Sequence, residues 1–435
     1  MGQEVESLDC PAVPETQPPH LVTAVPGPRS RALAARLAAV ECRNVTALAP
    51  EPPIFWERAA GANVWDADGN RYVDLGAGFG VANVGHGHPR VVEALAAQER
   101  KLLHAMGDVH PAAVKVELLE ALAARFPGGG PTRAVLGSSG SDAVEIALKT
   151  ALLASGRAGV VAFEGAYHGV TLGALDATWR SDFRAPFAAL LAGRTSFARF
   201  GDAADVMRAA RACPAPVGAV IVEPVQGRGG ERVPKPGFLR ALRERCDTEG
   251  WLLIADEVYT GCGRTGRFFA SEHEGVTPDL LCVGKGLGGG MPISACIGRK
   301  DVMDAWPPSH GEALHTQTFL GHPPGCAAAL AALAVLDEEK LTERAAELGS
   351  VALAFLQDAT RGNPRVVECR GLGLLLGIEC DAPATAAEAC ARALARGVIV
   401  IPSGDDGRVL AVTPPLVIGR DALLSALATL AECLR

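Results

Sequence analysis

The chain has 435 residues, 49% of them hydrophobic, enough to bury the core of one large and one smaller domain. A formal net charge of −8, with no basic run, argues against nucleic acid as a partner. Twelve cysteines are scattered without any Cys-x-x-Cys pair, which reads as reduced thiols and not as a disulfide or zinc framework.

The opening residues, Met1-Gly-Gln-Glu-Val-Glu-Ser7, are acidic and lack the basic and apolar blocks of a signal peptide. No uninterrupted apolar stretch reaches about 18 residues, so no membrane partner is expected and a cytoplasmic location is. Residues 1–30 are proline-rich without apolar period and predict a flexible arm. Leu33, Leu37 and Val40 give helical spacing from Arg31 to about Ala47. Phe55–Ala59, Asn63–Asp66 and Arg71–Leu75, separated by turn residues, predict an antiparallel meander. Residues 31–76 are therefore assigned to the N-terminal part of a small domain. His86 and His88 have no third ligand at metal spacing, so they read as a turn, and no metal is expected.

From about residue 90 helices alternate with short apolar runs at Arg133–Leu136, Gly159–Phe163, Ala219–Val222, Trp251–Ala255 and Leu280–Val283. That alternation predicts an α/β fold, a large domain over 77–325 with a mostly parallel, doubly wound sheet. Ligands of such sheets lie beyond the carboxyl ends of the strands. Residues 326–435, helical and then with apolar runs at Leu374–Glu379, Val398–Ile401 and Val409–Val412, predict a smaller α+β domain.

Chemistry-bearing residues collect at those predicted strand ends. Gly137-Ser-Ser-Gly-Ser-Asp142 before a helix offers free N–H groups and a positive dipole end to a phosphate, or an ordinary helix cap. Tyr167 and Tyr259, two of only three tyrosines, stand in such turns, where a ring could stack on a planar cofactor or simply pack. Asp256 follows five apolar residues and needs a cation, either a protonated ring nitrogen or an arginine such as Arg264 or Arg267. Lys285, one of seven lysines, ends a buried-strand run that empties into glycines. Desolvation there lowers an amine's pKa and yields a Schiff-base nucleophile; a lysine snorkelling from a strand end is the plainer alternative. Gly261-Cys-Gly-Arg-Thr-Gly266 fits a dinucleotide fingerprint, but no second strand and acid follow at the required distance, so a nicotinamide oxidoreductase is the remote alternative.

From about Pro28 onward the chain resembles the class III aminotransferases, pyridoxal-phosphate enzymes of fold type I. The resemblance rests on Leu253-Ile-Ala-Asp-Glu-Val-Tyr-Thr-Gly261 and Val283-Gly-Lys-Gly-Leu-Gly-Gly-Gly290. Ser139-Gly-Ser-Asp-Ala-Val-Glu145, Tyr167-His-Gly169, Glu223-Pro-Val-Gln-Gly227, Thr318-Phe-Leu-Gly-His-Pro323 and Arg370-Gly-Leu-Gly373 support it in the family's order. It implies that Lys285 and Asp256 are catalytic, Lys285 forming the cofactor linkage and Asp256 facing the ring nitrogen. It implies a cofactor site of Ser139, Gly140, Ser141, Tyr167, His168, Glu223, Val258 and Tyr259, with Thr318 reaching the phosphate of a neighbouring subunit in a homodimer or dimer of dimers. Arg370 is expected to bind a substrate carboxylate, Arg228 to add a second positive group, and Phe79 in the glycine-rich stretch 76–87 to line the entrance. Two positions depart from the common pattern: Tyr259 stands where many relatives carry glutamine, and Arg228 where relatives acting on ω-amino acids carry glutamate. The implied activity is transfer of an amino group from an α- or ω-amino acid to a keto acid such as 2-oxoglutarate or pyruvate. A racemase, epimerase or aminomutase on the same framework is the alternative.

Overall fold

In the computed structural model, residues 15–48 and 51–435 are described. A seven-stranded sheet forms the centre, in the order Thr132–Gly137, Ser294–Arg299, Leu280–Val283, Leu252–Asp256, Val217–Val222, Gly159–Phe163, Thr195–Ala198. All neighbours run parallel except Ser294–Arg299, which is antiparallel to both of its own. Side chains alternate across the sheet, so both faces must be covered. Ile221 and Ile254 pack with Ala143, Ile146 and Ala147 of the helix Gly140–Ser155. Val220 and Leu253 pack on the other side with Leu239 and Leu242 of the helix Phe238–Glu249. The expected α/β fold with a mostly parallel sheet is the observed one.

Two smaller four-stranded sheets flank it. The predicted meander is present as Trp56–Ala60, Asn63–Asp66 and Arg71–Asp74. The second sheet is antiparallel, in the order Val366–Leu372, Leu375–Cys380, Val409–Val412, Ile401–Ser403.

Several expectations change. The single strand foreseen over Val398–Ile401 is divided, because Val398–Ile399 pairs in parallel with Arg71–Asp74 while Ile401–Ser403 pairs with Val409–Val412. One short apolar run thus serves both small sheets, a choice that hydrophobic pattern does not reveal. The first helix spans Pro28–Val40, starting on a proline suited to its first turn and ending earlier than foreseen. The predicted flexible arm lies partly outside the described residues, at 1–14. From residue 15 it is tied down: His20 and Arg71 exchange backbone hydrogen bonds of 2.9 and 2.8 Å, and Asn70 Oδ1 accepts from the amides of Val22 and Thr23. Proline removes donors, but the remaining amides find buried partners in Asn63 and Asn70.

Candidate active site

Five strands of the central sheet deliver side chains to one cavity of about 380 Å3. Lys285 follows Leu280–Val283 after a single glycine and takes a left-handed φ of 41°, a strained conformation for a lysine. Its Nζ lies 4.6 Å from the centre of the Tyr259 ring. Burial lowers the amine's pKa, Asp256 and Glu223 oppose that shift, and Arg228 adds to it. The lysine is therefore a cavity-lining amine with a reduced tendency to hold its proton, the form that attacks carbonyl carbon.

Asp256 ends its strand 4% exposed. Neither of the arginines weighed from sequence reaches it. Arg264 is fully buried and donates to the carbonyls of Leu374 and Pro414 and to Asn83 Oδ1. The partner is His168, whose Nδ1 stands 2.7 Å from Asp256 Oδ2, while Asp256 Oδ1 accepts from the Val258 amide at 3.1 Å. His168 Nε2 is buried without a hydrogen-bond partner among the described residues.

The helix Gly140–Ser155 starts at the cavity edge. Ser139 caps it, its hydroxyl accepting from the Asp142 amide at 3.2 Å, so the plain capping role is real. Gly140 and Ser141 of the first turn line the cavity, and a Cβ on Gly140 would stand 2.5 Å from Val258 Cγ1. Ser141 Oγ accepts from the Thr171 amide at 3.1 Å. A turn of free amides without bulk, at the positive end of a 16-residue helix, suits an anion.

Glu223 links two walls of the cavity. One of its carboxyl oxygens accepts from the Tyr167 amide at 3.0 Å and the other from the Gly227 amide at 3.1 Å. Burial pushes this carboxyl up to about 7; His168 pulls it down and Asp256 pushes it further up. Tyr259 is wedged between glycines: a Cβ on Gly227 would fall 2.1 Å from its ring and one on Gly80 2.4 Å from it. Its hydroxyl lies 3.1 Å from Thr413 Oγ1, and burial pushes the phenol up to about 12.

The loop after Glu223 carries the charges that departed from the expected pattern. Arg228 lines the cavity, its guanidinium 5.3 Å from the Tyr167 ring centre and 5.8 Å from that of Phe183. Among the described residues it has no ion pair, and its Nε is buried without a partner. Arg370 is different: it is not a lining residue of the cavity. Its Nε and Nη2 donate to the Gly230 carbonyl at 3.0 and 2.6 Å, and Nη1 bonds Glu368 at 2.9 Å and Glu379 at 2.5 Å. Glu368 and Glu379 face each other across adjacent strands, and both attract the guanidinium, which offsets the repulsion between them. In this structure Arg370 is thus engaged by Gly230, Glu368 and Glu379, and Arg228 is the open guanidinium among the residues that line the cavity.

The cavity also gathers Phe79, which is 56% exposed at φ 63°, and the predicted His168, Val258, Tyr259 and Lys285. Ser139 lies just outside, and Thr318 sits exposed on a turn that does not line the cavity, although the preceding Gln317 bonds Ser138 and Asp142 of the capping turn. Two polar contributors escaped the sequence reading: Glu231, three residues past Arg228, and Ser403 from the small sheet. An acid closing Arg228-Gly-Gly-Glu231 was the available signal for the first; nothing local marks the second.

The profile of the family Aminotransferase class-III matches residues 46–434. The chain belongs to the class-III aminotransferases. It is 43% identical to the acetylornithine aminotransferase of Methanopyrus kandleri, over 88% of this chain and 95% of that one. It is 40% identical to the 5-aminovalerate aminotransferase DavT of Pseudomonas aeruginosa, over 88% and 93% of the two chains. Among solved structures, the ornithine aminotransferase of Toxoplasma gondii superimposes with a TM-score of 0.85 at 34% identity, covering 93% of this chain and 94% of that one. An aminotransferase acts with pyridoxal 5'-phosphate, and neither the racemase nor the nicotinamide alternative is favoured. The residues fit that group: the bare helix turn at Gly140, the aromatic wall of Tyr167, the buried carboxylate of Asp256 and the amine of Lys285 border one space. Among the described residues no helix is long and apolar enough to cross a membrane.

Proposed function

We propose that this aminotransferase works through Lys285, with Asp256 as its partner across the cavity, on substrates that carry a carboxylate. One observation carries the reading: an amine of lowered pKa and a buried carboxylate reach a single cavity from neighbouring strand ends. Gly140 and Ser141 would hold the cofactor's phosphate, with Ser139 fixing the turn. Tyr167 would stack on its ring and Val258 pack behind it. Asp256, oriented by His168 and the Val258 amide, would keep the ring nitrogen protonated. Bound pyridoxal phosphate supplies an electrophilic carbon and a ring that accepts electrons from a bond broken at the substrate carbon. Lys285 Nζ would take the proton from the substrate carbon and later return it. Glu223 holds the Tyr167 turn and the Gly227 loop at a fixed spacing, and so positions the ring wall against Arg228.

Arg228 is the group we assign to the substrate carboxylate, since its guanidinium is free to make two parallel charged hydrogen bonds. The relatives named for 5-aminovalerate and acetylornithine support a carboxylate-bearing amino donor, and 2-oxoglutarate or pyruvate is the acceptor proposed. We further propose a homodimer in the cytoplasm with Thr318 serving the neighbouring subunit's cofactor; its exposed turn, flanked by an exposed Phe319, supports a contact there. The test is the purified, cofactor-loaded protein. It absorbs visible light, an amino donor alone changes that spectrum, and borohydride fixes the cofactor to the peptide containing Lys285. A Lys285→Ala variant that still turns over at the native rate would overturn the assignment.

A further inference from the structure

Tyr259 is fixed on three sides by groups that leave its ring face to Lys285. A Cβ on Gly227 would stand 2.1 Å from Cδ1 and one on Gly80 2.4 Å from Cε2, so each glycine abuts one edge of the ring. The tip is tied as well. Thr413, fully buried, has a single hydroxyl hydrogen and a second partner in the Gly76 carbonyl at 3.4 Å. In its 3.1 Å pair with Tyr259 the phenol is therefore the donor, and the phenol proton is not offered to the cavity. Lys285 Nζ lies over the ring, 4.6 Å from its centre. That is inside the ~6 Å range over which the negative face of an aromatic ring attracts a cation. Among the described residues no hydrogen bond or ion pair to Nζ is found. Asp256 and Glu223 favour the ammonium form from further off, and Arg228 opposes it; Glu231, Arg264 and Arg228 act on the phenol. Both of those carboxylates are already engaged, Asp256 by His168 and the Val258 amide, Glu223 by the amides of Tyr167 and Gly227. The ring is the group left in contact with the amine.

We propose that Tyr259 is a positioning residue whose ring face holds the ammonium form of Lys285 whenever that amine is not joined to the cofactor. The inference rests on the reading of Lys285 given above, which makes Nζ the atom that takes a proton from the substrate carbon and returns it. A charged amine resting on a carboxylate could lose that proton to the oxygen. A neutral ring stabilises the charge and has no atom that accepts the proton, so the proton stays on Nζ for its return. Glutamine, which many relatives carry at this position, has no such face.

The test measures the proton affinity of Lys285 in the full-length protein freed of cofactor. Acetic anhydride acetylates the neutral amine alone, and mass spectrometry of the Lys285 peptide across a pH series gives the midpoint of its titration. Tyr259→Phe keeps the face and should keep the native midpoint. Tyr259→Leu removes the face and should move the midpoint down by about one pH unit, seen as roughly tenfold faster acetylation at a fixed pH below it. Tyr259→trifluorophenylalanine drains negative charge from the face and keeps the ring's shape. It should give part of the same fall, and it decides the question if the leucine variant does not fold. Asp256, Glu223 and Arg228 are unchanged through the series, so their effects cancel. A ring that only excludes water from the amine predicts the opposite sign, because its loss would raise the midpoint. That result, or a midpoint indifferent to fluorination, overturns the proposal. Borohydride reduction of the cofactor-loaded native protein separates the two readings. Cofactor fixed at a residue other than Lys285 overturns the role given to that lysine, and the proposal with it. Cofactor fixed at Lys285 beside a midpoint of the wrong sign overturns the proposal alone.

Discussion

Gly227 is glycine because of Tyr259, and that dependence is measurable. The Gly227 backbone lies outside the left-handed region, so alanine suits its conformation, yet a Cβ would stand 2.1 Å from Tyr259 Cδ1 and 2.9 Å from Cε1. The ring has nowhere to retreat. Gly80 closes its other side, where a Cβ would come within 2.4 Å, and the hydroxyl is held 3.1 Å from Thr413 Oγ1. Overpacking of this kind costs about 1–3 kcal/mol, and here the strain falls on the turn carrying Arg228 and Glu231. Gly227→Ala should therefore lower Tm and weaken the carboxylate substrate's binding, raising its KM several-fold. Tyr259→Gln removes the ring, so Gly227→Ala added to that background should be nearly silent, with a coupling of at least about 1 kcal/mol between the two sites. Tm and KM measured for the native protein, both single variants and the double variant close the cycle. If Gly227→Ala costs the same with and without Tyr259, contact with the ring is not what excludes a side chain there, and the packing argument is refuted.

Glu223 gives a pH dependence. Its folded-state pKa of about 7 stands above the ordinary value of 4.5, so the folded chain keeps a proton that the unfolded chain loses. The associated stability is fully present below pH 4.5 and is lost as pH rises to about 7, by roughly 3 kcal/mol from the size of the shift. Urea midpoints of cofactor-free protein at pH 5 and pH 8 should differ in that direction, and Glu223→Gln should make the difference smaller, the buried carboxyls of Glu231 and Glu257 contributing the remainder in the same sense. The two arginines separate by a different pair of readouts. Arg228→Ala should raise KM for carboxylate substrates at least tenfold with little change in Tm. Arg370→Lys, unable to span Gly230, Glu368 and Glu379, should lower stability by about 1–2 kcal/mol and raise KM less than threefold.

The fold and the chemical centre were legible because they depend on short-range signals. Val220, Ile221, Leu253 and Ile254 are buried on both faces of a parallel sheet, so their strands read as continuous apolar runs, and the polar residue ending each run lands at the cavity. Lys285 and Asp256 are placed by that rule alone. The strand Ser294–Arg299 was missed because its apolar residues are broken by Ser294 and Gly298 and its antiparallel direction breaks the βα alternation. Substrate-facing charge is harder, since it depends on where a long side chain turns after the backbone is set. Arg370 and Arg228 look alike as cations in glycine-rich settings. What separates them is that Glu368 and Glu379 come opposite each other only once Val366–Leu372 pairs with Leu375–Cys380, and that pairing claims Arg370. The same clamp on Gly230 turns the next residue, Glu231, into the cavity at a positive φ. Register between two strands therefore decides which arginine is left to line the cavity and which carboxyl stands beside it. A change that slips or loosens that strand pair should alter substrate choice while leaving the chemistry at Lys285 in place.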